Sequence, residues 1–168
     1  MTNRLFYTGP SIAVLHEEYA KKSRIDDRAA IQGRREITIA ALIERVWEKL
    51  SDVASWDTNL EPGVKDIQLD NGVTVDGRFT RVKGGAKMKA RFAVIEAPRE
   101  IAWTGAAFGA KVVHRFTLES TDDTTTTTTR VAVEESMAGP LFGLLFNNKK
   151  LDAVLTESLT TLKKASES

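Results

Sequence analysis

Residues 139–165 read GPLFGLLFNNKKLDAVLTESLTTLKKA, and their periodicity decides the fold. Pro140 suits the first turn of a helix, where its missing N–H is not needed. Beyond it, Leu144, Leu151, Leu155, Leu159 and Leu162 recur at spacings of three, four or seven and form one apolar stripe. The pattern predicts a helix from Gly139 and Pro140 to about Ala165, about 40 Å long at 1.5 Å per residue. Its start (Leu141, Phe142, Leu144, Leu145, Phe146) is apolar all round. That suits burial, a cavity mouth, a dimer contact or a membrane-touching patch. A long helix with a single stripe needs a sheet to lie on.

The upstream chain supplies one. Residues 35–40 alternate Ile37 and Ile39 with Glu36 and Thr38, the pattern of a strand. Ile43, Val46, Trp47 and Leu50 then fall on one helix face, Ser51-Asp52 breaks that helix, and Val53 and Trp56 suggest a second short turn. From Val64 a meander is expected, with strands near 64–69, 73–83, 87–97, 100–107, 110–121 and 125–137. The turn signals between them are Asp70-Asn71-Gly72, Gly84-Gly85, Pro98-Arg99, Phe108-Gly109 and Asp123-Thr124. The threonine run 124–129 reads as a hairpin end, because threonine forms strands well.

Two-residue turns also fix which residues share a face. With Phe92 and Val94 inward, Trp103 is expected opposite Val94, and Ile101 opposite Glu96. His114 then falls opposite Trp103 and Phe116 opposite Ile101, followed by Val133 opposite His114 and Val131 opposite Phe116. In the other direction Phe79 faces Ala90 and Arg81 faces Met88. One mostly apolar face results. The first hairpin does not fit a two-residue turn, which would turn Ile67 and Leu69 away from that face, so a longer loop or a bulge is expected there.

The order of strand, helical pair, six antiparallel strands and long helix resembles the helix-grip domain of the START-like (SRPBCC) superfamily, and within it the polyketide cyclase/dehydrase-like proteins. The resemblance is carried by Val46-Trp47 within 37–50, Ser51-Asp52, Trp56, Pro98, Trp103, His114-Arg115-Phe116, Thr129-Arg130-Val131, Gly139 and the closing helix. It covers about residues 34–165. It implies an α+β fold in which a curved seven-stranded antiparallel sheet grips the long C-terminal helix around an apolar cavity. It also implies roles from lipid, hormone and polyketide binding to cyclisation, hydrolysis and adaptation between proteins. The family has no shared catalytic motif, and fold does not choose among its roles.

The inward face then defines candidate ligand contacts: Trp56, Phe79, Met88, Phe92, Trp103, Phe116, Val131 and Val133, with Leu144 and Leu151 from the helix. An apolar lining broken by few polar groups is typical of a small-molecule pocket, here for a polyketide, lipid or aromatic metabolite. Four polar side chains interrupt it. Glu135 is expected opposite Val112 and diagonal to His114. These two are either an acid–base pair for a cyclase/dehydratase-type reaction, or a satisfied histidine beside a rim carboxylate. Arg81 and Glu96 are expected near strand ends as rim charges; Arg81 would otherwise orient an acidic head group. Asn147 either meets a ligand or caps the helix. A third reading is an interaction module, with residues 1–33 and 141–146 as contact surfaces.

Composition narrows the classes. The 168 residues suffice for one domain with a real core. A net charge of +1 gives no electrostatic reason to invoke nucleic acid. There are no cysteines, and His16 and His114 lack zinc-ligand spacing, so no metal or other cofactor is expected. Residues 105–109 are not followed by a helix, so they form no phosphate cradle, and no serine sits in a nucleophile elbow. No apolar run is long enough to span a bilayer and the N-terminus lacks the order of a secretory signal, so a cytoplasmic protein is expected. Residues 1–33 stand apart from the domain at 34–168. Ile12, Leu15 and Tyr19 support a helix over 11–22 with Ser11 as N-cap, either packed on the domain or docked on a second copy as a homodimer arm.

Overall fold

Antiparallel pairing dominates the computed structural model, which describes residues 6–121, 127–140 and 146–168. The strands are β1 (Ile31–Ile39), β2 (Lys65–Leu69), β3 (Arg78–Lys83), β4 (Ala86–Glu96), β5 (Glu100–Ala107), β6 (Ala110–Ser120) and β7 (Thr129–Ala138). They form one seven-stranded sheet in the order β1-β7-β6-β5-β4-β3-β2. Thus β2 to β7 follow each other as a meander, and β1 closes the far edge against β7.

Among the described residues, four α-helices accompany the sheet. The first, α1 (Ile12–Val14), runs on through a π turn (Leu15–Tyr19) and a 3₁₀ turn (Ala20–Lys22). Ser11 caps it as expected, its hydroxyl accepting from Val14 N–H at 3.2 Å. The pair α2 (Ile43–Ser51) and α3 (Trp56–Asn59) follows β1. The last, α4 (Asn148–Glu167), lays Leu151, Leu155, Leu159 and Leu162 against the inner face of the sheet.

The start of α4 corrects the expectation built on Pro140. Proline is tolerated in a first turn but does not demand one, whereas Asn147 makes a cap. Its backbone is extended, and its Oδ1 accepts from Lys150 N–H at 2.9 Å. Asn147 is exposed and acts as the N-cap, not as a polar break in the buried stripe. Leu144 lies outside the described residues.

Registers agree with the turn arithmetic at two hairpins and depart from it at two. The Gly84-Gly85 turn sets Phe79 opposite Ala90 and Arg81 opposite Met88. The Phe108-Gly109 turn sets Trp103 opposite His114 and Ile101 opposite Phe116. Both pairs of turn residues have positive φ, as hairpin turns that follow the sheet twist require. Between β4 and β5 the link is three residues, with Glu96 opposite Glu100, and a bulge lies between Phe92 and Val94. Phe92 therefore faces Trp103, Val94 faces Ala102, and Ile95 replaces Val94 on the inner face. Between β6 and β7 the pairing slips by two positions: Phe116 meets Val133, Leu118 meets Val131 and His114 meets Glu135. The first hairpin carries the expected irregularity, between Lys65 and Gln68, and Ile67 and Leu69 pack on the core.

The N-terminal segment packs on the outer face of its own sheet, where Leu15 and Ala20 join Ala93 and Val113 in a second small core. Ser23 Oγ donates to Glu100 at 2.6 Å, and Asp26 N–H donates to Ser136 Oγ at 3.0 Å, tying the segment down. β1 begins earlier than the alternation at 35–40 suggested, because residues 31–34 continue the ladder with Met137 to Glu134.

Candidate functional site

Across the inner face, one row of directly opposed residues runs Gly33, Glu135, His114, Trp103 and Phe92, from β1 to β4. Residues directly opposite in antiparallel strands share a face. At Gly33 an added Cβ would lie 3.0 Å from Leu155 Cδ1 and from Asp152 Oδ1, a tight contact that shows how closely α4 approaches β1.

His114 sits at the centre of this row. Its ring stacks on Trp103 at 4.4 Å between centroids and 10° between planes. Its Nδ1 lies 3.1 Å from Glu135 Oε1. Both side chains are buried, His114 at 7% and Glu135 at 8% exposure. The other ring nitrogen, Nε2, is buried and has no hydrogen-bond partner. A carboxylate on Nδ1 selects the tautomer that leaves Nε2 as an acceptor facing an apolar interior. Glu135 is thus directly opposite His114 instead of diagonal to it, which tightens the expected pair.

The expected apolar contacts fall into one buried cluster. Trp56 lies 5.0 Å from Trp103 and 5.7 Å from Phe79, and Phe79 stacks on Phe92 at 4.5 Å. Trp56 donates its Nε1–H to Leu50 O at 2.8 Å. Phe116, Val131, Val133, Met88 and Leu151 belong to the same buried cluster. The adjoining row is sparser: Ile31, Met137, Val112, Gly105, Ala90 and Phe79. There Gly105 offers no side chain and leaves the space beside it to Met88. Gly139 lies close against Gly109, and Asn148 Oδ1 accepts from Gln32 N–H at 3.0 Å.

Arg81 departs from the rim position expected of it. It forms an ion pair with Glu61, and both side chains are largely buried. Glu96 is exposed at a strand end, as expected.

A second buried histidine, on the outer face, went unassigned in the sequence. His16 Nδ1 is 2.8 Å from Thr104 Oγ1, and Nε2 is 2.9 Å from Asp76 Oδ1. Burial lowers the His16 pKa, outweighing the bond to Asp76, which raises it. Asp76, bonded by His16 and Lys21, is held down to about 2. His16, Glu17 and Asp76 are the one trio of possible metal donors among the described residues. Lys21 Nζ already lies 3.0 Å from Asp76 and 3.2 Å from Glu17, so an ammonium supplies the positive charge there. The signal for His16 was its adjacency to Leu15: the π turn brings both side chains onto the sheet and leaves Ile12 exposed.

No helix is long and apolar enough to cross a membrane among the described residues. No curated protein matches the chain. Solved structures of the same fold include a hypothetical protein of Helicobacter pylori, with 18% identity, TM-score 0.67 and coverage of 87% of this chain and 91% of that one. Norcoclaurine synthase from Thalictrum flavum is 13% identical with TM-score 0.58, over 78% of this chain and 91% of that one. DynU16, a protein of the dynemicin biosynthetic locus, is 16% identical with TM-score 0.59, over 79% of this chain and 46% of that one. The family model described as polyketide cyclase / dehydrase and lipid transport matches residues 30–167. From β1 to the end of α4, the chain belongs to that family.

Proposed function

We propose that this protein binds a small apolar or amphipathic molecule on the inner face of its sheet, and that His114, held by Glu135, meets the molecule's polar atom. The observation that carries this reading is Nε2 of His114, buried and without a partner. An unpaired buried polar atom costs about 1–3 kcal/mol, which a ligand hydroxyl donating to Nε2 would offset. Aromatic side chains fill the end of the face under α3. A ligand meeting Nε2 would lie along the row of Gly105, Val112 and Met137, next to His114. An aromatic metabolite suits the flat Trp103–His114 stack. In keeping with that, a norcoclaurine synthase structure holds dopamine and hydroxybenzaldehyde.

The carboxylate on Nδ1 favours a second reading, in which the same pair moves a proton. Glu135 would orient the imidazole and stabilise it when protonated, while Nε2 takes a proton from a bound substrate and returns it, as in a cyclase or dehydratase step.

Native mass spectrometry of the protein purified from its own host tests the first reading by revealing a co-purified small molecule. His114→Phe should lower its occupancy at least about tenfold, the loss of one buried hydrogen bond to a ligand. Unchanged occupancy in that variant would overturn the assignment. Glu135→Gln separates the two readings: it preserves binding in both and abolishes turnover only in the second.

A further inference from the structure

The outer face holds a cavity of its own, of about 450 Å³, between α1 with its following turn and strands β3, β4 and β5. Small-molecule pockets are commonly about 300–1,000 Å³. Ile12, Ala13 and Ala106 contribute apolar lining. The charged residues that line it, Arg78, Lys89 and Arg91, are all basic, and no carboxylate lines it.

The placement of these cations is unusual for a resting surface. Arg78 stands directly opposite Arg91, and Lys89 is opposite Thr80, one step along the same face. Like charges directly opposed across an antiparallel pair are destabilising. Arg91 has one acidic partner, Asp76 at 3.2 Å, and that carboxylate is already shared with His16 and Lys21. Among the described residues, Arg78 and Lys89 have no acidic partner.

We propose that this cavity binds an amphipathic organic anion, an apolar chain or ring ending in a carboxylate. The apolar part lies against Ile12, Ala13 and Ala106, and the carboxylate lies between Arg78 and Lys89. A guanidinium grips a carboxylate through two parallel hydrogen bonds, and the lysine adds a point charge. The occupant relieves the Arg78–Arg91 repulsion and covers apolar surface in one event. This site is on the opposite face from His114 and stands independently of the function proposed there.

The test uses decanoate as probe, titrated into ¹⁵N-labelled full-length protein and followed by amide chemical shifts. Saturable shifts are expected at Ala13, Thr104 and Ala106. The R78A/K89A double variant, altered at two exposed side chains, should bind at least about tenfold more weakly, the value of one charge-assisted hydrogen bond. Ala106→Leu, which narrows the cavity and leaves both charges in place, should also weaken binding, and His114→Phe should leave it unchanged. Undiminished affinity in R78A/K89A, shifts centred on Val112 and Met137, or no saturable binding would each overturn the proposal.

Discussion

His16 and His114 are both buried, each beside a carboxylate, on opposite faces of one sheet. They differ in what remains free. His16 uses both nitrogens, bridging Thr104 on β5 and Asp76 in the loop before β3, and so pins the N-terminal segment to the sheet. His114 uses one nitrogen and leaves the other unpaired in an apolar interior. A satisfied histidine strengthens the fold. An unsatisfied one costs stability unless a partner from outside the chain meets it.

The largest effect expected from this contrast is on stability. His16→Ala should cost about 2–3 kcal/mol in urea unfolding, since it strands Thr104 and removes buried contacts. A loss below about 0.5 kcal/mol, the size expected of a surface substitution, would dissolve the distinction. Glu135→Ala should cost about 1–2 kcal/mol, because it leaves His114 buried with both nitrogens unpaired. The double variant His114→Phe with Glu135→Met should lie within about 1 kcal/mol of the parent, on either side, because both polar partners leave together. If it unfolded as readily as His16→Ala, the inner pair would be structural.

A smaller, graded effect is expected of pH. Burial lowers the His16 pKa, so the unfolded chain takes up that proton first. Its contribution is complete above about pH 6.5 and declines as pH falls below that. Asp76, held down to about 2, adds a further decline between about pH 4 and 2, moderated because its carboxylate meets water. Urea midpoints measured from pH 8 to 5 should fall for the parent and stay nearly level for His16→Gln. A level parent curve would remove the outer histidine from the account.

What was legible in the chain was mostly what is local. The Gly84-Gly85 and Phe108-Gly109 turns announce their own geometry, and the strands they join fell into register. The bulge after Phe92 was hidden, because alanine at 93 suits either face; it packs on Leu15 and Val113 outside. The slip between β6 and β7 preserved parity, so His114 and Glu135 stayed on one face even though their spacing was misjudged. Pairings that depend on distant loops were unreadable. Glu61 reaches Arg81, and Asp76 reaches His16, only after the sheet has brought them together. Where an apolar cavity was expected between sheet and helix, Trp56, Phe79, Phe92 and Trp103 pack their rings against one another.

The closing of β1 on β7 has a consequence for synthesis. Ile31 finds its partner only at Met137, and Gly33 finds its place under Leu155 later still. Strands β2 to β6 can zip together as they leave the ribosome, each beside the one just made. β1 emerges before all of them and must wait with an unpaired edge and its inner residues uncovered. A chain that has not yet made β7 therefore carries a first strand whose β7-facing edge is open to pairing with other chains.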